Sequence, residues 1–473
     1  MSGLFGLLNL GARSLQAQQL GLEVAGHNIA NVNTPGYSRQ RVNLATSAAR
    51  LTTIGAIGTG VQALGIQQMR SVLLDGQVQG ETSVRGFLEA QQAALQQGQA
   101  ILGQTIDRLA SDPTGGVANV GQNGLAAGLS SFFGALQSLA NNPTSPTERQ
   151  AVLTQAQDLA ARFNQVDSRL ATLNASLNKS LSADAARANE LIDAVAELNK
   201  QILAAEVTTT GSANDLRDLR QQKIEELSKL VNVTATEQPT GAVDLSISGV
   251  SVVTGVEVTD RLEVYDAGGG QMLVRTQTGQ TPLTLTGGSM QGTIEARDGG
   301  LKSLRDDLNA MAAQMITQVN TLHRAGFSLT GSTGADLFTG TNAGDMGVNV
   351  ALVTDPMLLQ AAGVNGAPGD NQVALALAQL ANQAQAGLSN QTFSQRYAQT
   401  VAGLGQAISS VNSRLEDQSL VEAMLVRQRD AVSGVSLDEE MTDIMRFQKA
   451  YQASAKIIST VDEMLDTVIN MKR

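Results

Sequence analysis

The chain has 473 residues, enough for about three folded units, and 32 Lys and Arg against 43 Asp and Glu leave it with a net charge of −11. Such an acidic chain lacks the clustered positive charge with which proteins bind nucleic acids and anionic membranes, so neither partner is expected. Cys and Trp are absent, which excludes disulfides, thiolate metal sites and Cys nucleophiles, and the 3% aromatic and 16% charged content is that of long helices with thin apolar seams.

The first segment places Leu8, Leu15, Leu22 and Ile29 seven apart, with Ala12 and Ala25 between them, which predicts an amphipathic helix with a narrow, coiled-coil-like seam. It stops at Asn33-Thr34-Pro35-Gly36, where proline forces Thr34 out of the helical region and Pro-Gly favours a type II turn. Residues 37–75 alternate weakly and read as extended chain and short hairpins. Helix returns from about 80 to 110, where Leu88, Leu95, Leu102 and Leu109 are spaced by seven and Asp112-Pro113 is the stop. A shorter helix near 125–140 leads to Ser145-Pro146-Thr147-Glu148, a capping box with proline in the first helical position. The helix started there runs through Phe163, Val166, Leu170, Leu173 and Leu177 to Leu191, Val195, Leu198 and Ile202.

After a helix carrying Leu216, Leu219, Leu227 and Leu230, the period changes to alternation over 231–298, as in Val243, Leu245 and Ile247. This predicts a small β domain inserted between helices. Helix resumes at Leu301, Leu304, Leu308, Met311, Met315 and Leu322, and a Gly-rich connector covers about 326–369. Val401, Leu404, Ile408, Val411 and Leu415 mark another long helix, broken at Ser433-Gly434. The last helix opens on a second capping box, Ser436 and Glu439, with Asp438, Glu439 and Glu440 complementing the helix dipole. Ile444, Phe447, Tyr451, Ser454, Ile458, Val461, Leu465 and Val468 then fill successive a and d positions of a heptad, on a helix about 48 Å long.

The fold class that follows is mainly α with a small β insertion. It comprises a terminal coiled-coil domain (1–35 and 437–473), a long-helix domain (36–230 and 300–436) with an extended N-terminal linker and the Gly-rich connector, and a small β domain (231–299). Two seams at opposite ends of one chain invite pairing. An isolated two-helix pair is marginal against a backbone ordering cost of about 1 to 2 kcal/mol per residue, so firm order is expected only when the pair packs on neighbouring copies.

Chemistry is sparse. His27 lies near the end of the first helix with no second ligand spaced to join it, and His323 ends a helix where its charge would favour the dipole. Gly58-Thr59-Gly60-Val61-Gln62-Ala63 matches a dinucleotide fingerprint in letters only, since no βαβ pattern surrounds it. There is no P-loop and no G-x-S-x-G, and Asp336, Asp345 and Asp355 lack calcium-loop spacing and read as solvated loop. No catalytic residue, cofactor or metal is assigned.

The run Asn28-Ile29-Ala30-Asn31-Val32-Asn33-Thr34-Pro35-Gly36-Tyr37 resembles the signature that follows the first helix in bacterial flagellar axial proteins of the rod, hook and hook-associated classes. The C-terminal run from Ser433 through Glu440 and Arg446-Phe447-Gln448-Lys449-Ala450-Tyr451 to Leu465 is similar to the matching terminal helix of that family. Gly36-Tyr37-Ser38-Arg39-Gln40-Arg41-Val42 and the helices between 80 and 325 resemble the hook-associated class in particular, with the outermost domain reduced or absent. The resemblance implies a structural, non-enzymatic protein of the extracellular flagellum at the hook-filament junction. It would be exported unfolded by the flagellar type III apparatus, consistent with an N-terminus lacking a Sec-type signal and with no long apolar span. The implied partners are further copies in a ring, the hook protein, a second junction protein, and a cytoplasmic chaperone on the C-terminal helix. The expected assembly seam sets Leu8, Leu15, Leu22 and Ile29 against Ile444, Phe447, Tyr451, Ile458, Val461, Leu465 and Val468, with Asn28, Asn31, Thr34, Pro35, Gly36 and Tyr37 forming the turn. A hook or rod protein of the same family is the nearest alternative; an enzyme-bearing axial protein and a secreted coiled-coil effector have less support.

Overall fold

The computed structural model describes residues 2–52, 55–102, 124–207 and 211–471. Helix α1 (Ser2–Ala30) leads into one long antiparallel ribbon, in which β1 (Gln40–Thr46) pairs with β4 (Val61–Gln68) and, further out, β2 (Arg50–Thr52) pairs with β3 (Gly55–Ile57). Helix α2 (Val72–Ile101) starts on Ser71, whose hydroxyl accepts the Leu74 N–H, earlier than the leucine spacing alone indicates. Leu109 and the Asp112-Pro113 stop lie outside the described residues. Then come α3 (Leu125–Asn141), α4 (Pro146–Ala205) and α5 (Asn214–Leu230). The start of α4 is set by Ser145 accepting the Glu148 N–H with Pro146 in the first turn, and its 60 residues are unbroken.

Strands β5 (Val233–Glu237), β6 (Val243–Ile247), β7 (Val250–Thr254) and β8 (Glu257–Val258) form an antiparallel sheet in that order, and β9 (Leu262–Asp266) pairs with β10 (Met272–Thr276) as a separate hairpin. The β segment is shorter than its expected bounds of 231–299: from Gly288 the chain is helical, as α6 (Gly288–Glu295) and a π-helical turn over Ala296–Leu301 that runs on into α7 (Lys302–Arg324). The alternation that predicts the strands ends at Thr276 and the helical period begins well before Leu301. Short helices α8 (Val350–Thr354) and α9 (Gln372–Gln379) precede α10 (Phe393–Ser433) and α11 (Leu437–Asn470).

Two apolar cores sit on successive lengths of α4. Its first half, from Val152 to Leu177, packs with α2, α3, α7, α9 and the start of α10, and here the rings of Phe132 and Phe338 lie 5.4 Å apart. Its second half, from Leu181 to Ala196, packs with α5 and with the inward residues Leu245, Ile247, Val252 and Val274 of the strands. The sheet therefore shares its core with helices, because a sheet this small buries too little apolar surface alone. At about 1.5 to 3 kcal/mol per buried aliphatic side chain, these two cores hold the body. Neither includes a residue of α1, the ribbon or α11.

The Gly-rich segment is also more built than its composition indicates. Leu337, Phe338, Met346, Leu352 and Leu359 are buried in the first core, and the guanidinium of buried Arg149 at the start of α4 donates to the carbonyls of Pro143 and Leu359. Asp345 and Asp355 accept backbone N–H groups of their own turns, and Asp336 pairs with Arg324. His323 is not a solvated dipole partner, as its place at a helix end indicates, but is fully buried: its Nε2 accepts the Gln360 N–H, which leaves the proton on Nδ1 to donate to Ala335 O. Burial pushes its pKa down to about 4, so the ring is neutral in the folded chain.

Acid should therefore loosen the body. The unfolded chain takes up this proton near the ordinary His pKa, about 6.5, while the folded chain does so only near 4. Stability contributed by the neutral ring is thus present above about pH 6.5 and falls by up to about 3 kcal/mol as the pH drops to 4. Denaturant midpoints at pH 7 and pH 4.5 should differ more for the native chain than for His323→Gln.

Candidate functional site

Helix α1 runs antiparallel along α11, so that the two ends of the chain form a stem. The contact line on α1 is made of small residues: Gly11 stands opposite Ile458, the Ser14 hydroxyl is 2.7 Å from that of Ser454, and Gly21 stands opposite Phe447. A β-carbon added at Gly11 or Gly21 would come within 2.7 Å of Ile458 or Phe447, so the two helices approach more closely than side chains there would permit. Gly11, Ala17, Gly21, Val24, Ala25 and Asn28 are the buried positions of α1. Leu8, Leu15, Leu22 and Ile29 flank this line and stay half-buried.

On α11, Ser454 and Val461 are buried and Ile444, Phe447, Ile458 and Leu465 half-buried, whereas Tyr451 and Val468 are 38% and 49% exposed. The leucine-to-heptad pairing expected from the sequence is thus displaced by one position around α1. The glycines carry no hydropathy, so spacing alone picks out the leucines beside them.

At the root of the stem α1 ends in a turn with the geometry its residues dictate. Thr34 O accepts the Tyr37 N–H, Gly36 takes φ +79°, and the Thr34 hydroxyl donates to Asn31 Oδ1 at 3.1 Å. Tyr37 folds back so that its hydroxyl donates to Asn28 Oδ1 at 2.8 Å and accepts from His27 Nδ1 at 3.0 Å. Burial raises the Tyr37 pKa well above the ordinary phenol value, with Asp215, Asp218 and Glu440 adding to the effect.

Asn28, 1% exposed, uses its whole amide: Oδ1 also accepts the Gln40 N–H at 3.0 Å, and Nδ2 donates to Gln40 O at 2.9 Å and Glu440 Oε2 at 3.0 Å. Glu440 is 2% exposed and accepts Arg39 Nε at 2.7 Å, while the same guanidinium reaches Glu439 and, at 3.7 Å, Asp443. Against the desolvation that partial burial costs it, Arg39 is held above its ordinary pKa by Glu440 and Glu439. Its backbone N–H donates to Ser433 O at 2.8 Å, at the elbow between α10 and α11. Glu439 thus serves Arg39, and Ser436 makes no side-chain cap bond, so the capping box expected at the start of α11 is not formed.

The ribbon is joined to the body through the first two turns of α5. The Ser38 N–H donates to Asp218 at 2.9 Å, Gln40 Nε2 to Asp215 at 2.8 Å, and Gln68 and Arg70 to Asp218 at 2.8 and 2.9 Å. The motif reading passes over Asp218 and gives Arg39 no role of its own, and Glu440, expected only to complement the helix dipole, is instead a buried partner of Arg39 and Asn28. The available signal was that Glu440 falls in the same heptad register as Ile444 and Phe447, where a carboxylate can only be buried against a partner. Among the described residues no group of three or more His, Asp and Glu could hold a metal ion, and no helix is long and apolar enough to cross a membrane.

Comparison with known proteins places these features in context. Residues 116–338 match the model of the flagellar hook-associated protein FlgK helical domain; residues 8–37 match that of flagella basal body rod proteins and 428–471 that of the flagellar basal body rod FlgEFG protein C-terminal segment. The chain is 30% identical to the flagellar hook-associated protein 1 of Bacillus subtilis over 99% of both chains. It is 24% identical to that of Salmonella typhimurium over 98% of this chain and 100% of the other. The fold is similar to that of the flagellar hook junction protein FlgK from Burkholderia pseudomallei, with a TM-score of 0.66 over 76% of this chain and all of that one, at 16% identity.

Replacing Glu440 with Ala should leave Arg39 Nε and one Asn28 Nδ2 hydrogen without their acceptor, while Arg39 keeps Glu439 and Asp443, and should weaken the stem by about 2 kcal/mol with both body cores intact. Hydrogen exchange should show faster exchange across residues 2–30 and 437–470 and unchanged protection in α4.

Proposed function

Because the chain belongs to the flagellar hook-associated protein 1 family, we propose that it is a structural subunit at the junction between hook and filament of the bacterial flagellum, where it supports filament assembly. The observation that carries this reading is the stem. Residues from the two ends of the sequence meet on a line of small side chains, closed at the root by Asn28, Arg39 and Glu440, and the stem adds nothing to either body core. An element that the body does not need for its own folding, and that exposes apolar residues on its flanks, is an element for assembly.

In this reading residues 1–35 and 437–473 are the assembling domain. Leu8, Leu15, Leu22 and Ile29, together with Tyr451 and Val468, meet neighbouring subunits, while Ile444, Phe447, Ile458, Val461 and Leu465 serve the pairing itself. The turn from Asn28 through Asn31, Thr34, Pro35 and Gly36 to Tyr37 fixes the direction in which the chain leaves the stem. Copies form a ring, with hook protein on one side and a second junction protein on the other. Before assembly the chain passes unfolded through the flagellar type III apparatus, and a cytoplasmic chaperone shields α11, whose Met441, Met445 and Met464 are about half exposed. The chain's role is mechanical, with no catalytic step assigned to any residue.

Electron microscopy of a strain lacking the gene should show complete hooks without filaments, with flagellin lost to the medium; missing hooks would move the chain to the hook or rod classes, and normal filaments would refute the reading. Val461→Asp places a charge at a stem position only 3% exposed, at a cost of several kcal/mol. The variant should accumulate with a folded body yet fail to restore filaments.

A further inference from the structure

The segment from Ala361 to Asp370 carries the chain from the first core to α9, and its tip is Asn365-Gly366. Both sides of the tip are anchored. Ala362 exchanges backbone hydrogen bonds with Phe327, at 2.8 and 3.2 Å. One carboxylate oxygen of Asp370 accepts the Gly363 and Val364 N–H groups at 2.7 and 3.0 Å, and the other accepts the Gln372 N–H at 3.2 Å. Between these anchors Val364, Asn365 and Gly366 are exposed, and Gly366 turns the chain at φ +76°.

Among the described residues, neither the Asn365 side-chain amide nor the Gly366 N–H has a hydrogen-bond partner. Asn365 Oδ1 faces Gly331, where a β-carbon would come within 3.3 Å of it. Other exposed asparagines stand in a different setting. Asn33, Asn382 and Asn390 precede residues whose N–H groups are held: Thr34 by Asn31 O at 2.9 Å, Gln383 by Leu380 O at 3.3 Å and Gln391 by Leu388 O at 3.2 Å. A main-chain nitrogen attacks the side-chain carbonyl of the asparagine before it only if that nitrogen is released from other bonds and can swing toward the carbonyl. Glycine has no β-carbon to oppose the rotation.

We propose that Asn365 is a site of spontaneous deamidation and isomerisation, with water as the co-reactant. The Gly366 nitrogen attacks Cγ of Asn365, and the new C–N bond closes a five-membered succinimide. The Cγ–Nδ2 bond breaks, and Nδ2 leaves as ammonia with the proton that the Gly366 nitrogen gives up. Water then opens the ring. Cleavage of the new C–N bond leaves aspartate at this position, whereas cleavage of the original peptide bond leaves isoaspartate, in which the main chain runs through Cγ and is longer by a methylene. Either product places a second carboxylate in the loop that Asp370 organises, and isoaspartate also lengthens the span between the anchors. The reaction needs only the folded chain. That its product marks the age of a flagellum, because an exported subunit stays in place, rests on the junction reading.

The purified full chain, kept folded in mildly alkaline buffer and sampled by peptide mass spectrometry, should convert Asn365 to a mixture of aspartate and isoaspartate. Conversion there should be at least about tenfold faster than at Asn33, Asn382 or Asn390. The variant Asn365→Gln, whose longer side chain does not close a five-membered ring, should show the native melting curve and no conversion at this position. Equal rates at all four asparagines would overturn the proposal. So would an Asn365 that stays intact in the folded chain yet reacts once the chain is unfolded in denaturant, because the fold would then protect the turn. In flagella, a modified fraction that grows between freshly assembled and aged preparations supports the age mark. An unchanged fraction, with the purified chain reacting as expected, overturns the age mark alone and leaves the site standing.

Discussion

A carboxylate is buried where the two ends of the chain meet, and the geometry of the stem depends on keeping it satisfied. Glu440 is reached by Asn28 from α1 and by Arg39 from the start of the ribbon, so three segments must arrive together for one charge to be tolerated. Such a cluster adds little net stability compared with an apolar contact of similar size, but removing any member leaves a desolvated group, which makes alternative arrangements expensive. The apolar cores fold the body without reference to the stem. The polar root then determines where the stem points.

The same division explains what could be read from the sequence. Long helices with regular leucine spacing, the Ser145-Pro146 start of α4, the Thr34-Pro35-Gly36 turn and the alternation of Val243, Leu245 and Ile247 are local signals, and each is expressed locally in the fold. The residues that hold distant segments together were harder to see. Gly11 and Gly21 define the stem line by lacking side chains, so the leucines next to them dominate any hydropathy pattern. His323 looks like a helix-end residue until the chain from 335 to 360 closes over it. The Gly-rich segment reads as a connector because its few large apolar residues, such as Phe338 and Leu359, have no periodicity, and only the first core gives them a place.

A seam of small residues also changes what the stem can do. Glycine and alanine bring the backbones close but bury little area per residue, so the pair is weakly held by apolar contact, while the displaced leucines remain available on the flank. Had the leucines formed the intramolecular seam, the stem would be a stronger two-helix pair with less apolar surface left to offer.

Helix α4 carries both cores on a single rod of 60 residues, about 90 Å in length. A twisting load delivered at the β-sheet end therefore reaches the Phe132 and Phe338 end along continuous hydrogen-bonded backbone, without crossing a loop. In engineering language the body is a beam with two collars. From that rod the load passes to the stem through the polar root, where Arg39 bonds both Glu440 and the elbow carbonyl of Ser433, a joint that holds one direction because turning it would leave the buried carboxylate unpaired. The rod carries the load and the root sets the angle at which it is handed on.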